Sequence, residues 1–594
     1  MSKKAEPTVI LLQGIWGYLS QRRRIQMGLL LLMMLASGVA ELASLGAVLP
    51  FLAVLSDPAR LWQQPLVQGL ASSARLTEAR QLILPAMAIF ATVAVLAAVV
   101  RLANLWLNSR LAAAVGSDLS CEAYRRTLYQ PYEVHLQRNS STVITATITQ
   151  INLSVAALNA LLQLITAAIV ATGLLIGLLL IDWPVALVVS ILFGGAYGWL
   201  AGSTRWKLRS NGERIAVATN QQLKALQEGL GAIRDVLLDG SQPTYLEIYR
   251  RADRPQRQLQ AQNQYLSAFP RYILEALGTV ALALLGGLLV LQRGSGTVVI
   301  PVLGAFALGA QRLLPALQQV YTGWAALKAY NPALSDVLAM LRQPLPAGGR
   351  LAAPMSFRKC LQLETVCFRY GEDLPEVISH LALEIFPGER IGVIGSTGSG
   401  KSTLADLLMG LLEPTSGRIL VDGDDIHERK NPERLHSWRA SIAHVPQDIY
   451  LADSSIAENI AFGVHPHEID MERVRRAANQ AQIASFIEAN DQAYEGLVGE
   501  RGIRLSGGQR QRIGIARALY KEANVLVFDE ATSALDNGTE RAVMDAIEGL
   551  SRNLTLVMIA HRLSTVSNCD RVIELLGGRI HRQMKGVEVS RHNP

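Results

Sequence analysis

The sequence predicts a polytopic α-helical membrane domain of six long helices, followed by a soluble α/β domain. Three observations support this fold class. Long apolar runs fill roughly residues 25–325, ordinary soluble composition begins at about residue 355, and a glycine-rich loop near residue 400 joins a short apolar strand to a helix. A chain of 594 residues is also too long for one hydrophobic core, so at least two domains are expected.

The membrane helices are predicted from runs of about 20 mostly apolar residues. Candidate spans are residues 26–55, 82–109, 154–181, 183–203, 272–292 and 297–325. The basic stretch SQRRR precedes the first span and places that end in the cytosol, and six crossings return the chain to the same side. The polar segments 110–153 and 204–271 then lie in the cytosol, and their helical periodicity predicts helices that continue past the bilayer.

The domain boundaries follow from the same composition shifts. We expect a cytosolic N-terminal segment (1–24), a transmembrane domain (25–330), a linker that ends in Pro, Gly and Ala (331–354) and a soluble domain (355–594). The net charge of +7 is explained by basic cytosolic segments, so nucleic acid is not an expected partner. The cysteines, Cys121, Cys360, Cys367 and Cys569, have no zinc-ligand spacing and are expected to be reduced thiols.

The glycine-rich loop is GSTGSGKS, which has the G-x-x-x-x-G-K-S pattern from Gly395 to Ser402. Glycines allow backbone N–H groups to surround phosphate oxygens, and the following helix adds its positive N-terminal end. Lys401 is expected to reach the β- and γ-phosphates, and the Ser402 hydroxyl to bind Mg²⁺. The alternative is a glycine-rich turn that binds no nucleotide, which the strand–loop–helix context disfavours.

The stretch VLVFDE, residues 525–530, predicts a buried parallel strand that ends in two acids. Asp529 is placed to hold Mg²⁺ directly or through water, and Glu530 to polarise the attacking water. The alternative is a strand that ends in a solvated acidic pair.

Twenty residues before that strand stands LSGGQ, residues 505–509, which matches the signature of ATP-binding-cassette (ABC) proteins. The chain resembles this family over residues 360–580, with Tyr370, Gln447, SALD (533–536) and His561 at matching places in the family order. The order of a six-span domain before the cassette resembles a half-transporter of the type IV ABC exporter class, with an α/β P-loop NTPase cassette. The basic residues Arg510, Arg512 and Arg517 after the signature are expected on a solvated helix that faces the dimer interface, rather than on a nucleic-acid surface.

The resemblance implies a set of site residues and the cofactors ATP and Mg²⁺. Implied catalytic residues are Glu530, His561 and Gln447, and implied magnesium ligands are Ser402, Gln447 and Asp529. Implied ATP-binding residues are Tyr370, Gly395, Ser396, Thr397, Gly398, Ser399, Gly400, Lys401, Ser402, Thr403, Ser506, Gly507, Gly508, Gln509 and Asp536. The signature is implied to close on ATP held by a second subunit. Since no motif is degenerate, a homodimer is expected, with cytosolic coupling helices and an exporter cycle driven by ATP hydrolysis.

The membrane half is similar to PglK-type flippases of lipid-linked oligosaccharides in three stretches, LYQPYEVHLQRNSS (128–141), SAFPRYILEALG (267–278) and QRLLPALQQV (311–320). This resemblance implies an anionic lipid-linked glycan or glycolipid substrate and a bacterial inner membrane, with the cassette in the cytoplasm. Rival interpretations are a multidrug or general lipid exporter and an ATP-gated membrane protein that transports nothing.

Four charged residues, Glu41, Arg101, Arg271 and Arg312, lie in or beside the apolar spans, where an unpaired charge is costly. They are therefore candidates for contact with substrate. For Arg101 and Arg271 the alternative is that they extend toward the membrane interface. Glu41 is expected either as a partner of one arginine or as a polar contact.

Overall fold

The structure is a computed structural model. It describes residues 6–56, 58–64, 67, 78–181, 183–293, 296–345, 352–428, 430–529, 538, 541, 545, 549, 554–560 and 563–585. The chain divides into two compact units, Met1–Tyr129 with Arg138–Pro344, and Gln130–Gln137 with Leu345–Pro594.

Helices make up the described part of the chain before residue 345. They are α1 (Thr8–Tyr18), α2 (Gln21–Gly46), α3 (Val48–Ser56), α4 (Pro58–Trp62), α5 (Ile83–Leu128), α6 (Tyr132–Leu136), α7 (Ser140–Ile144), α8 (Ile151–Ile181), α9 (Trp183–Gly231), α10 (Ile233–Leu238), α11 (Gln242–Arg293), α12 (Gly296–Ala329) and α13 (Asn331–Leu341). A 3₁₀ turn (Ala79–Leu82) precedes α5, and a π-helical turn (Thr145–Gln150) precedes α8.

Six of these helices are long, namely α2, α5, α8, α9, α11 and α12. Three described helical stretches are long and apolar enough to cross a membrane, Gln21–Leu55, Ala79–Leu128 and Thr145–Leu180. Helices α5, α9 and α11 contain 46, 49 and 52 residues. At about 1.5 Å per residue each extends about 70 Å or more, over twice the ~30 Å hydrocarbon thickness. Each of these helices is therefore long enough to continue past a bilayer, which is the arrangement that the sequence predicts.

Helix α13 occupies the first part of the segment predicted as a linker, where the structure differs from the prediction. Its Leu334, Val337, Leu338 and Leu341 are buried in one cluster that also contains Leu11 of α1. The spacing of these leucine and valine positions is i, i+3, i+4 and i+7, which places them on one helix face. The apolar face of α13 is therefore packed in the helical unit.

The second unit contains the strands β1 (Leu361–Phe368), β2 (Ile378–Ile385), β3 (Arg390–Gly395), β4 (Ser416–Val421), β5 (Asp424–Asp425), β6 (Ile442–Val445), β7 (Val525–Asp529), β8 (Thr555–Ile559), β9 (Arg571–Leu576) and β10 (Arg579–Lys585). Its helices are α6 and then α14 (Lys401–Leu408), α15 (Glu433–Ala440), α16 (Ile456–Ile460), α17 (Met471–Gln480), α18 (Ala484–Glu488), α19 (Gly507–Tyr520) and α20 (Leu563–Val566).

The strands form two sheets. One has the order β2-β1-β4-β5 and is antiparallel, and the other has the order β10-β9-β3-β8-β7-β6. In the second sheet β9, β3, β8, β7 and β6 are parallel, with Val393 beside Ile559 and Phe528 beside Met558. Parallel strands bring their carboxyl ends to one edge of the sheet, so β3, β6, β7 and β8 end side by side there.

Candidate functional site

The phosphate loop connects β3 to α14 and has little room for side chains. Gly400 has φ +100°, and a Cβ there would lie 2.9 Å from Ile378 Cδ1 and 3.0 Å from the Val377 carbonyl oxygen. A Cβ on Gly395 would lie 2.4 Å from the Leu575 carbonyl oxygen. These two positions therefore require glycine, which keeps the backbone N–H groups of the loop open to a ligand.

Lys401 lies over this loop rather than in solvent. Its Nζ donates to the carbonyl oxygens of Gly395 (2.9 Å) and Ser396 (3.1 Å), and the residue is buried. The buried Ser399 Oγ has no hydrogen-bond partner among the described residues. An ammonium and an unpaired hydroxyl beside open amides fit the oxygens of a polyphosphate.

Tyr370 lies close to α14, the helix that follows the phosphate loop. Its ring packs edge-on against Phe368 with the ring centroids 4.9 Å apart, and its hydroxyl is 3.1 Å from Thr403 Oγ1. Tyr370 is 37% exposed, so a ring face is available for stacking. Stacking on a nucleobase is the role that the resemblance implies for this residue.

Three oxygen-bearing residues stand at the carboxyl edge of the parallel strands. Ser402 is the second residue of α14 and is exposed, Gln447 follows β6 and is exposed, and Asp529 ends β7. The pKa of Asp406 in α14 is raised to about 6, by burial first and then by the Asp529 charge. Strand β7, which ends at Asp529, also contacts the phosphate-loop helix α14. A hydroxyl, an amide and a carboxylate fit a hard cation such as Mg²⁺.

The signature forms the N-terminus of α19. Ser506 is its N-cap, since Ser506 Oγ accepts from Gln509 N (3.2 Å) while Gln509 Oε1 accepts from Ser506 N (2.9 Å). Gly507 is exposed, and a Cβ there would meet nothing within 4 Å. The helix start is thus held by side-chain caps while its face at Gly507 stays accessible.

Three predicted site residues, Glu530, Asp536 and His561, lie outside the described residues. Their neighbours in the chain are described, since Asp529 ends β7 and Ala560 directly follows β8.

Arg517 differs from the solvated position expected for it. It is half-buried and donates to the carbonyl oxygens of Asn459 (2.9 Å) and Tyr450 (3.0 Å), and burial lowers its pKa to about 10. Its guanidinium also lies 4.5 Å from the centre of the Phe462 ring. The arginine therefore ties α19 to the segment that follows Gln447, a connection that the sequence analysis missed.

Asn459 completes this connection. Its amide exchanges hydrogen bonds with the Ala452 backbone (2.9 and 3.0 Å), and its Oδ1 lies 3.3 Å from Arg517 Nη2. The residue is fully buried in α16. The sequence contains no spacing signal for it, because its partners are mostly backbone atoms.

The membrane domain contains a charged cluster that joins three of the predicted candidates. Glu41 is buried, with Arg101 Nη1 3.3 Å from its Oε2 and Arg312 Nη1 3.3 Å from its Oε1. Arg312 also donates to Ser44 Oγ (3.1 Å). The cluster lines a cavity of ≈ 600 Å³. Glu41 therefore bridges α2, α5 and α12.

Amide side chains continue the same cavity. Asn104, Asn108, Gln163, Gln311 and Gln319 line it, and Asn104 and Asn108 are almost fully buried. Among the described residues the Oδ1 atoms of Asn104 and Asn108 have no hydrogen-bond partner. Unpaired buried acceptors are costly, and a ligand that donates hydrogen bonds would satisfy them.

Arg271 is not part of this cluster. It is exposed on α11, and its Nε lies 4.0 Å from Glu275 one helical turn along.

Comparisons with known proteins identify the class. A family model described as ABC transporter matches residues 378–533, and one described as ABC transporter transmembrane region matches residues 27–308. A curated protein of Cupriavidus metallidurans, an ATP-dependent lipid A-core flippase, is 30% identical over 505 residues, 84% of each chain. One of Burkholderia thailandensis with the same name is 28% identical over 590 residues, 98% of this chain and 94% of that protein.

A solved structure of a bacterial Atm1-family ABC exporter with ATP bound matches with a TM-score of 0.77, at 24% identity and over 96% of both chains. The chain belongs to the ABC transporter family, as a half-transporter with its membrane domain fused to one cassette. The predicted fold class is confirmed, and the protein is an ATP-binding, ATP-hydrolysing membrane transporter. Such a half-transporter acts as a dimer.

Proposed function

We propose that the protein is a flippase that uses ATP to translocate a lipid-linked oligosaccharide or another phosphorylated glycolipid. The observation that supports this substrate class is the cavity with Glu41, Arg101 and Arg312. The relatives named lipid A-core flippases support a lipid substrate.

The cavity has the chemistry for an anionic, hydroxyl-rich headgroup. The side chains of Arg101 and Arg312 are 51% and 28% exposed, so guanidinium N–H groups remain for phosphate oxygens. The unpaired amide oxygens of Asn104 and Asn108 suit sugar hydroxyl donors. A volume of ≈ 600 Å³ suits a phosphosugar rather than a whole glycan. Arg271 is exposed and separate, so we assign it a secondary contact at most.

We infer that the dimer is a homodimer and that two short helices couple its parts. Helix α6 and helix α10 each separate two long helices, within the cytosolic segments predicted from sequence. On α10 the apolar side chains of Leu237 and Leu238 are 60% and 75% exposed, which is typical of a surface that docks on a partner. The accessible signature start at Gly507 supports closure on a second cassette.

The cassette, residues 355–594, would hold Mg²⁺ with Ser402, Asp529 and Gln447. The ion would neutralise charge on the β- and γ-phosphates when bound. Lys401 would hold the phosphates, Tyr370 would stack on adenine, and the signature with Asp536 would contact ATP of the partner. Glu530 and His561 would orient and polarise the attacking water.

The membrane domain, residues 25–330, would lie in a bacterial inner membrane with the cassette in the cytoplasm. The basic residues Arg22, Arg23 and Arg24 at the start of α2 support this orientation.

Reconstitution in liposomes tests the proposal. With ATP and Mg²⁺, a fluorescent lipid-linked glycan should change leaflet, while a labelled simple phospholipid should not. Glu530→Gln should abolish movement while leaving ATP binding intact. Equal movement of both lipids would favour a general lipid exporter, and ATPase stimulation by hydrophobic drugs alone would favour a multidrug exporter. ATP hydrolysis with no movement of any probe would contradict transport of this substrate class.

A further inference from the structure

Glu41 holds an unusual position for a carboxylate. Its side chain is 4% exposed inside a predicted membrane span, and it contacts two arginines from two other helices. A buried charge is stable only with compensating partners, so the two guanidiniums explain why Glu41 is tolerated there. They do not explain why the cluster contains two cations and one anion.

The acids available to balance that charge are few. Within the six predicted spans the sequence contains two acidic residues, Glu41 and Glu275. Glu275 is exposed and faces Arg271. One positive charge from Arg101 and Arg312 is therefore left without an acid from these spans, next to a cavity.

The contact geometry leaves this charge accessible. In the described structure each arginine approaches the carboxylate through Nη1. Arg312 donates a hydrogen bond to Glu41 Oε1, whereas Glu41 Oε2, which lies 3.3 Å from Arg101 Nη1, has no hydrogen-bond partner among the described residues. Among the described residues, Arg312 also donates to Ser44 Oγ. A guanidinium has five N–H donors, so both arginines can bind a second anion beside the Glu41 carboxylate or bind it in place of that carboxylate.

We propose that Glu41 is a displaceable counterion that occupies the substrate's phosphate position while the cavity is empty. A carboxylate presents two oxygens to two guanidiniums much as a phosphate group does. When the lipid phosphate enters, it takes over one or both arginines from Glu41. The inference depends on the proposed function only for the identity of the lipid, since the anion exchange itself is a property of the cluster.

This exchange would set specificity. A ligand whose only polar group is a phosphate has to compete with the Glu41 carboxylate for the arginines, and it gains little binding free energy from the exchange. A ligand that also donates hydroxyl groups to Asn104 and Asn108 gains the contacts needed to displace it. Glu41 would thus exclude ordinary anionic phospholipids from the cavity, which is specificity by competition.

The test is calorimetric titration of the full-length protein in neutral detergent with octyl phosphate, and with octyl glucoside as the uncharged match. We expect Glu41→Gln to lower the Kd for octyl phosphate about tenfold, because the internal competitor is lost. Arg312→Gln in the Glu41→Gln background should reverse that gain. Octyl glucoside should bind all variants equally. Glu275→Gln is the matched control and should leave both Kd values unchanged.

A structural role alone would give a different result. If Glu41 only fastens α2 to its neighbours, Glu41→Gln will bind octyl phosphate no more tightly than wild type, or no binding will be seen in either, and the inference is wrong. If Glu41→Gln does not fold, Glu41→Asp replaces it, and a two- to threefold lower Kd is expected since the shorter side chain reaches one arginine. If the lipid-linked glycan is not flipped but Glu41→Gln still binds octyl phosphate more tightly than wild type, the proposed substrate is wrong and the counterion role of Glu41 stands.

Discussion

Replacing Arg517 with methionine tests whether this arginine holds the segment after Gln447. The variant keeps much of the apolar stem but loses the bonds to the carbonyl oxygens of Tyr450 and Asn459, together with the contact to Phe462. Bonds from a charged donor contribute roughly 1.5–3 kcal/mol each, and this site is half-buried, so we expect a local loss of about 3 kcal/mol. That corresponds to an opening equilibrium about 150-fold more favourable.

Amide hydrogen exchange measured by mass spectrometry reads this opening directly. Peptides that cover residues 450–460 should exchange about 150-fold faster, while those in β3 and β8 should keep wild-type rates. Burial lowers the Arg517 pKa only to about 10, so the side chain is charged at pH 7 and the effect should not change between pH 6 and pH 8. ATP hydrolysis should fall as well, because Gln447 is three residues from Tyr450.

The matched control is Arg512→Met on the same helix. Among the described residues Arg512 donates one bond, to the Gln482 carbonyl oxygen at 3.2 Å, so a change of about 1 kcal/mol is expected. If both variants alter exchange over 450–460 equally, or neither does, the assigned role of Arg517 is wrong.

Three further predictions concern the cassette. Gly400→Ala should weaken ATP binding at least tenfold in a nucleotide-binding assay, since its backbone strain and the 2.9 Å contact add roughly 1–3 kcal/mol. Gly398→Ala carries backbone strain too, at φ +80°, but its Cβ meets nothing within 4 Å, so it should weaken ATP binding less. Asp529→Asn should raise the Mg²⁺ concentration needed for half-maximal ATPase activity. An unchanged magnesium titration would show that Asp529 is not a magnesium ligand. Burial lowers the pKa of His444, so its contribution to stability is present above its ordinary pKa near 6.5 and is lost as pH falls below that value. His444→Gln should therefore lessen the drop in Tm from pH 7.5 to pH 5.5, and the same benefit from the exposed His465→Gln would contradict this explanation.

The phosphate loop and the signature were predictable because their chemistry is local. Gly395, Gly400 and Lys401 belong to one short motif whose backbone shape and function are set by the same eight residues. The strand before Asp529 was predictable for a related reason, since a continuous apolar run indicates a strand buried on both faces. In both cases the information lies within a few residues of the site.

Other features depend on atoms that carry no sequence signal. The partners of Arg517 are carbonyl oxygens 58 and 67 positions away, and every residue has a carbonyl. In the sequence, Arg517 is therefore distinguishable only as one member of a basic run. Helix α13 was hidden by a different effect, because the proline, glycine and alanine after Leu341 dominated the composition of the whole stretch.

The charged cluster of Glu41, Arg101 and Arg312 was partly predictable from the sequence. The cost of charge in lipid singled out Glu41, Arg101 and Arg312 from the sequence, but not their contacts, because the pairs are 60 and 271 positions apart. The structure adds that one carboxylate serves both arginines, so the charges are coupled rather than independent. Removing either arginine alone should then affect the other through Glu41, and the effects of Arg101→Gln and Arg312→Gln on anion binding should not be additive. Strict additivity in that double-mutant cycle would mean that the shared carboxylate does not link the two sites.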